Sequence, residues 1–480
     1  MAEGDRPHAT RGRRSAVVAL VVILLLVAGY RLDLRGRRGI GDPDAGAPDP
    51  RQDPAAVEPP PGLELPDPAA PRPVAAPLKP SEPDAAAVRR ALDGLLDDKR
   101  LGHRVTVAVA GVDGRPVVTE GAPVVTPAST MKLLTCLAAL KTLGAEHRFA
   151  TSVVGSGRDI TLVGGGDPML AGHPVGPAAY PAQADIVTLA RDTAQRLLHD
   201  GHRLVHLSYD DSLFSGPAAS PYWEPDYVPT DVVTPITALW VDQGVEVPGQ
   251  EYRTSDPSGD AAAAFAAALQ RAGIKVVGRV RHATAPAGAE QLAVVHGAEL
   301  VEVVQHILEV SDNEGAEVLA RHVAIAEGKP GSFAAVGPAV ESVVHHLGVP
   351  LHGAVIHDGS GLARSDRLDV RSLLGALAVS AEPQEDPELG GLLEGLPVAG
   401  FTGSLGYRFT NDAEAGLGWV RAKTGTLTGV SGYAGIVTAH DGTLMLFVAV
   451  ADRVPVENTT FTRDRLDQIA SALAACACGG

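Results

Sequence analysis

Ser129 and Lys132 stand three positions apart in Pro127-Ala128-Ser129-Thr130-Met131-Lys132, which leads into the apolar run LLTCLAALKTLG. Pro127 suits the opening of a helix and Gly144 its stop. Residues three apart on a helix share a face. A serine hydroxyl is a poor nucleophile without a base beside it. A lysine can be that base if its pKa falls from about 10.4. Burial on an apolar helix and a second cation nearby both push it down. The N-terminal end of the helix also favours negative charge developing on the serine oxygen. Taken alone, S-x-x-K is a weak signal that chance supplies in most long chains.

Two further groups change its weight. Ser311-Asp312-Asn313 interrupts one helical pattern and precedes another. Ser311 can relay a proton to a leaving group, and Asn313 can hydrogen-bond a substrate amide and the Lys132 amine. The same three residue types are favoured at a helix N-cap, so the triplet by itself reads first as a cap. Lys423-Thr424-Gly425-Thr426 follows the apolar stretch Gly418–Ala422, at what reads as a strand end. Gly425 lets a substrate backbone lie close against the strand. Lys423 and Thr424 can bind a carboxylate. The backbone N–H groups of Thr426 and Ser129 can form an oxyanion hole. The bland alternative is an ordinary strand end with a solvated lysine. In the order S-x-x-K, S-D-N, K-T-G, the three form the set found in penicillin-binding proteins and β-lactamases.

With these motifs the chain resembles the penicillin-recognising D-alanyl-D-alanine carboxypeptidases. It resembles most closely the class C low-molecular-mass penicillin-binding proteins, which are carboxypeptidases and endopeptidases of peptidoglycan. The likeness extends to Gly164-Gly165-Gly166-Asp167-Pro168, to Asp210–Pro229 (DDSLFSGPAASPYWEPDYVP) and to Asp358–Leu368 (DGSGLARSDRL), and spans about residues 85–475. The glycine run lacks the trailing G-K-[ST] of a phosphate loop. The resemblance implies an α/β (α+β) fold of the penicillin-binding-protein/β-lactamase-like transpeptidase type. That fold is a five-stranded antiparallel sheet flanked by helices, with a smaller inserted domain.

The resemblance also implies roles. Ser129 is the acylated nucleophile and Lys132 its general base. Ser311 and Asn313 complete the proton network. Lys423 and Thr424 hold the terminal carboxylate, beside Gly425 and Thr426. Peptidoglycan peptides ending in D-Ala-D-Ala are the substrates and β-lactams the inhibitors, with no metal or cofactor. An acidic and a basic residue would bind the free D-centre of diaminopimelate. Asp226 and Arg364 are the candidates, with a surface carboxylate and a structural arginine as the alternatives.

Several elements must position these groups. A helix at Ala85–Leu96 precedes a strand at Val105–Val112. The turn signal Asp113-Gly114 leads to a second strand at Pro116–Thr119. Near the other end, strands at Tyr433–Thr438 and Thr443–Ala451 flank His440-Asp441-Gly442, and a helix at Arg463–Ala475 closes the chain. This pattern points to an antiparallel sheet built from both ends of the chain. The interval from Ser129 to Ser311 is much longer than a compact β-lactamase needs, which implies an insert at 154–260. The catalytic domain is then 84–153 and 261–480.

The N-terminal part reads differently. Residues 1–14 carry four arginines, as a cytoplasmic N-terminus would, and Ala16–Gly29 runs without a charge. That run is short against the roughly 20 residues that span a bilayer and fits a signal-peptide core of about 7–15. Export is expected, with segment 15–30 kept as a membrane anchor or cleaved near Val27-Ala28-Gly29. Residues 31–83 are rich in Pro, Ala, Asp and Glu. They are too poor in large apolar groups to form a core, and they read as an extended, disordered spacer.

Composition narrows the classes. The chain of 480 residues has 57 acidic and 40 basic side chains and a net charge of −17, which argues against a nucleic-acid binder. Three cysteines rule out a disulfide-rich scaffold, and none shows zinc-site spacing. Cys136 reads as a small buried hydrophobe, and Cys476 and Cys478 carry no assigned role. Two rivals remain. A β-lactamase of class A would need a deacylating glutamate in an E-x-x-L-N loop, and neither Glu146 nor Glu224 has that setting. A catalytically inactive peptidoglycan-binding relative would need no Ser–Lys pair.

Overall fold

The computed structural model describes residues 82–480 other than 177, 248, 251 and 382–385. The expected leader, membrane segment and most of the spacer lie outside the described residues. The folded body starts where the proline-rich composition ends. Pro83 bridges to Gly479, and Asp84 caps helix α1 (Ala85–Leu92) by accepting from the Ala87 N–H at 2.7 Å. Strands β1 (Arg104–Ala110) and β2 (Pro116–Glu120) form a hairpin, and Gly114 between them takes a φ of +72°. Helix α2 (Lys132–Leu143) is apolar on every side, and everything from Lys132 to Leu140 is buried. A helix without a polar face belongs inside a core, not on its surface.

After α2 the chain leaves for a second sheet. Its strands are β3 (Arg148–Ser156), β4 (Asp159–Val163), β5 (Leu204–Asp210), β6 (Lys275–Val276), β7 (Arg281–His282) and β8 (Gln291–Glu299). β3 pairs antiparallel with β4 and β8, while β4 and β5 run parallel. Parallel neighbours need a crossover. Helix α3 (Ile186–His199), capped by Asp185, supplies it. Helix α4 (Pro257–Arg271) has Asp256 as cap and Pro257 in its first turn, and it packs with α3 over one apolar cluster that includes Val153, Leu189, Phe265 and Ala293. The insert expected at 154–260 therefore begins inside β3 and stops inside α4. The sheet that defines it runs from Arg148 to Glu299. Residues 261–299 look like ordinary helix and strand in sequence, and only their pairing shows which sheet they join.

The chain then returns through α5 (Leu300–Val310), α6 (Asn313–Ala326), α7 (Phe333–His346) and α8 (Val370–Ala381). It ends in β9 (Val420–Leu427), β10 (Val430–Thr438), β11 (Leu444–Asp452) and α9 (Thr459–Ala475). The main sheet has the order β9-β10-β11-β1-β2, antiparallel throughout, with Val107 opposite Ala449. Both chain ends thus build it, as the sequence pattern implies. Alternate residues serve two cores. Leu446, Val448 and Val450 face α2 and its helical neighbours, while Met445, Phe447 and Ala449 face α1 and α9. Burial on both faces explains why β11 reads LMLFVAVA without polar alternation.

The Lys423-Thr424-Gly425-Thr426 motif lies inside β9, not at a strand end. The strand continues to Leu427 before turning into β10. Cys476 and Cys478 form a disulfide just past α9, and Cys136 is free and buried.

Candidate active site

Ser129 lies in the single 3-10 turn Ala128–Met131 that runs straight into α2. The turn is under backbone strain, because Ala128 takes a φ of +46°. Such a conformation costs an alanine of order 1–3 kcal/mol and persists only where the surroundings enforce it. Two glycines do so. A Cβ on Gly361 would come within 1.9 Å of the Ala128 carbonyl oxygen, and one on Gly425 within 2.7 Å of the Pro127 oxygen. Gly425 was expected to make room for a substrate backbone. Its close approach is to the protein's own backbone, which seats β9 against the serine turn.

Lys132 is the hub. Its Nζ donates to Ser129 Oγ at 2.9 Å, to Asn313 Oδ1 at 2.8 Å and to the Ser360 carbonyl at 2.8 Å. Those three contacts use every donor of an ammonium. Burial in the α2 core lowers its pKa to about 8, against the opposing pull of Glu317, Asp312 and Asp358. The repulsion between the two lysines shows at Lys423. Lys423 is fully buried, and burial together with the Lys132 charge holds its pKa well below the usual lysine range. Lys423 Nζ donates to the Thr424 carbonyl at 2.9 Å, and Thr424 Oγ1 lies 3.0 Å from Ser404 Oγ. Along β9 the buried Lys423 and Gly425 alternate with the half-buried Thr424 and exposed Thr426. Among the described residues no strand pairs with the outer edge of β9 from Thr424 to Leu427, which leaves room for an extended peptide to add there.

Ser311 is the left-handed residue, φ +63°, that joins α5 to α6. Asp312 caps α6 by accepting from the Gly315 N–H at 2.9 Å. Asn313 is the first residue of α6 and reaches Lys132. Asp312 is thus the cap, and Asn313 is free to meet Lys132. Ser129, Lys132 and Asn313 thus converge through hydrogen bonds, and β9 lies directly against them.

Residues 88–251 and 248–474 match one peptidase family in two blocks that take in all three motifs. The chain belongs to the D-Ala-D-Ala carboxypeptidase 3 (S13) family. This S13 carboxypeptidase is 34% identical over 413 residues to a carboxypeptidase of Mycobacterium tuberculosis, covering 82% of this chain and 85% of the relative. It is 33% identical over 483 residues to carboxypeptidase DacB of Mycolicibacterium smegmatis, covering 98% and 99%. Its fold is that of penicillin binding protein 4 (dacB) from Haemophilus influenzae. The TM-score to that crystal structure is 0.65 at 20% identity, over 80% of this chain and 97% of the other.

Behind Lys132 the S13 enzyme holds carboxyl groups that the motif reading missed. Glu317, four residues after Asn313 on the same face of α6, is fully buried and accepts from the N–H groups of Gly359 at 3.0 Å and Ser360 at 2.9 Å. Asp358 accepts from the N–H groups of Gly361 and Ala363 at 2.7 Å each and from the Trp223 indole at 2.8 Å. Burial and the Asp358 charge push Glu317 up to about 8 and Asp366 to about 10. The i, i+4 spacing from Asn313 and the turn-forming Asp358-Gly359-Ser360-Gly361 were the available signals.

Arg364 does not pair with Asp226. Its guanidinium donates twice to the Thr428 carbonyl, at 2.9 and 2.7 Å, and its Nε lies 3.3 Å from Glu224. Asp226 is exposed, and its carbonyl accepts from Thr230. Two acidic residues in one WEPDY stretch could not be separated by sequence, because the turn that follows the buried Trp223 decides which of them meets Arg364.

Proposed function

We propose that the chain, a serine D-Ala-D-Ala carboxypeptidase by family, works on peptidoglycan stem peptides through an acyl-enzyme on Ser129. The observation that carries this reading is the 2.9 Å contact between Ser129 Oγ and a buried Lys132 Nζ. In its neutral form Lys132 accepts the hydroxyl proton as Ser129 Oγ attacks the carbonyl of the penultimate D-alanine. The N–H groups of Ser129 and Thr426 receive the oxyanion. The Lys132 ammonium, held by Asn313 Oδ1, returns that proton through the Ser311 hydroxyl to the leaving nitrogen as the C–N bond breaks, and D-alanine departs. Water then hydrolyses the ester, with Lys132 again taking and returning a proton.

Lys423 and Thr424 bind the terminal carboxylate of the peptide. Cleavage of cross-links between stem peptides uses the same steps. A β-lactam places its ring carbonyl at the same point and acylates Ser129. Arg364 with Glu224, rather than with Asp226, lines the side of the groove where a substrate side chain would lie. These chemical steps belong outside the cytoplasm, where peptidoglycan is. Tethering through segment 15–30 is a reading of the sequence alone. Among the described residues no helix is long and apolar enough to cross a membrane.

Incubation with a fluorescent penicillin tests the assignment. Covalent labelling that disappears in Ser129→Ala supports it. Folded wild-type protein that takes up no label defeats it. Rapid turnover of the penicillin would favour a β-lactamase instead.

A further inference from the structure

The long loop 211–256, which joins β5 to α4, does more than connect two elements. Gln243 reaches out of it, and its Nε2 donates to Asp312 Oδ2 at 2.5 Å and to the Pro168 carbonyl at 3.2 Å. Arg253 reaches from the same loop to Glu314 Oε1 at 3.0 Å. The Thr234 N–H donates to that same carboxyl oxygen at 3.1 Å. The loop is tied to itself as well. Thr234 Oγ1 donates to the Gln243 carbonyl at 2.6 Å, and Arg253 Nη1 donates to Thr234 Oγ1 at 3.3 Å. Asp312 and Glu314 are the two neighbours of Asn313. The loop therefore grips both sides of the residue that hydrogen-bonds Lys132.

The backbone shows that this grip is enforced. Asp242 and Gln243 are consecutive non-glycine residues at φ +50° and +53°. Left-handed backbone at such residues carries a cost and needs an over-determining environment. Here Asp242 Oδ1 accepts from the Gly172 N–H at 3.0 Å, and Gly244, itself at φ +73°, leaves no room for a Cβ beside Thr234. Glu314 is buried, and burial with the Asp312 charge pushes it up to about 7, while Arg253 pulls it down.

We propose that Gln243 and Arg253 are positioning residues of the acylation step, holding Asp312 and Glu314 so that Asn313 Oδ1 stays in reach of Lys132 Nζ. This rests on the reading of Lys132 as the base for Ser129. Through these contacts the inserted sequence takes part in catalysis without touching substrate. A small displacement of a catalytic group can cost about a hundredfold in rate. A loss of contact one residue away from Asn313 should cost less, of the order of tenfold.

The test is the second-order rate constant for acylation by a fluorescent penicillin, measured on the full chain with the saturating labelled fraction and the melting temperature. Arg253→Met and Gln243→Leu are expected to slow acylation about tenfold while labelling still runs to completion. Arg253→Met/Glu314→Gln, which removes the stranded buried carboxyl, should recover most of that loss, and Arg253→Lys should fall between. If Arg253→Met does not fold, Gln243→Leu and Arg253→Lys carry the same comparison. Variants that melt earlier but acylate at the wild-type rate would overturn the proposal, since a merely structural contact behaves that way. A double variant no faster than Arg253→Met would overturn it too. Wild-type protein that never labels would overturn the serine–lysine reading, and this inference with it.

Discussion

Gly425 on β9 sits so close to Pro127 that a side chain there would stand 2.7 Å from the Pro127 carbonyl oxygen. Strand and nucleophile turn are therefore one packed unit, and the glycine of the third motif is a seat for the first. Gly425→Ala must move one of two backbones. It is expected to cost about 1–3 kcal/mol of stability, as overpacking does, and to slow acylation. Thermal unfolding and penicillin labelling rates check both effects. Unchanged labelling would mean that the contact does not position Ser129.

Lys132 titrates near 8 because burial disfavours its charged form. A base must be neutral to take a proton, so the acylation rate should rise with pH and level off above about 8. Lys132→Arg keeps the charge but has no accessible neutral form. A loss of about 10²–10⁴-fold is expected, the usual contribution of a general base. A pH–rate profile on wild type and variant is the measurement.

Glu317 holds its proton to about 8 in the fold, well above an ordinary carboxyl. The folded state thus binds that proton more tightly than the unfolded chain does. Its contribution to stability is complete below the ordinary carboxyl range and is lost as pH rises through about 8. Glu317→Gln keeps an acceptor oxygen for only one of the Gly359 and Ser360 N–H groups, but it removes the titrating proton and should flatten the alkaline fall in melting temperature. Glu317→Ala strands two buried N–H groups, at about 1–3 kcal/mol each, and should loosen the Ser360 carbonyl that Lys132 uses. Melting curves across pH separate the two variants.

Arg364 and Glu224 are both partly exposed, so their ion pair should add little to stability. Their expected effect is on substrate. Arg364→Ala and Glu224→Ala should raise KM for a muropeptide carrying diaminopimelate with little change in kcat. Asp226→Ala should leave both near wild type. Steady-state kinetics on one defined muropeptide decides between the two acidic residues.

The sequence made the three motifs, the two-ended sheet and the capped helices legible, because each depends on neighbours a few residues apart. The three-residue step from Ser129 to Lys132 is an example, since one turn carries both. The buried carboxyls were not legible. Glu317 and Asp366 look like surface acids until packing shows that α6 and the 358–366 loop are both inside. Which acid of the WEPDY stretch meets Arg364, and which sheet Gln291–Glu299 joins, were not legible for the same reason. A turn direction and a β8 pairing are long-range facts that no local pattern contains.

The most direct measurement is digestion of a purified pentapeptide muropeptide by the full chain, read by mass. Wild type should release one alanine from the peptide end, and Ser129→Ala should release none. A folded wild type that leaves the pentapeptide intact, or a Ser129→Ala variant that still shortens it, would contradict an acyl-enzyme on Ser129.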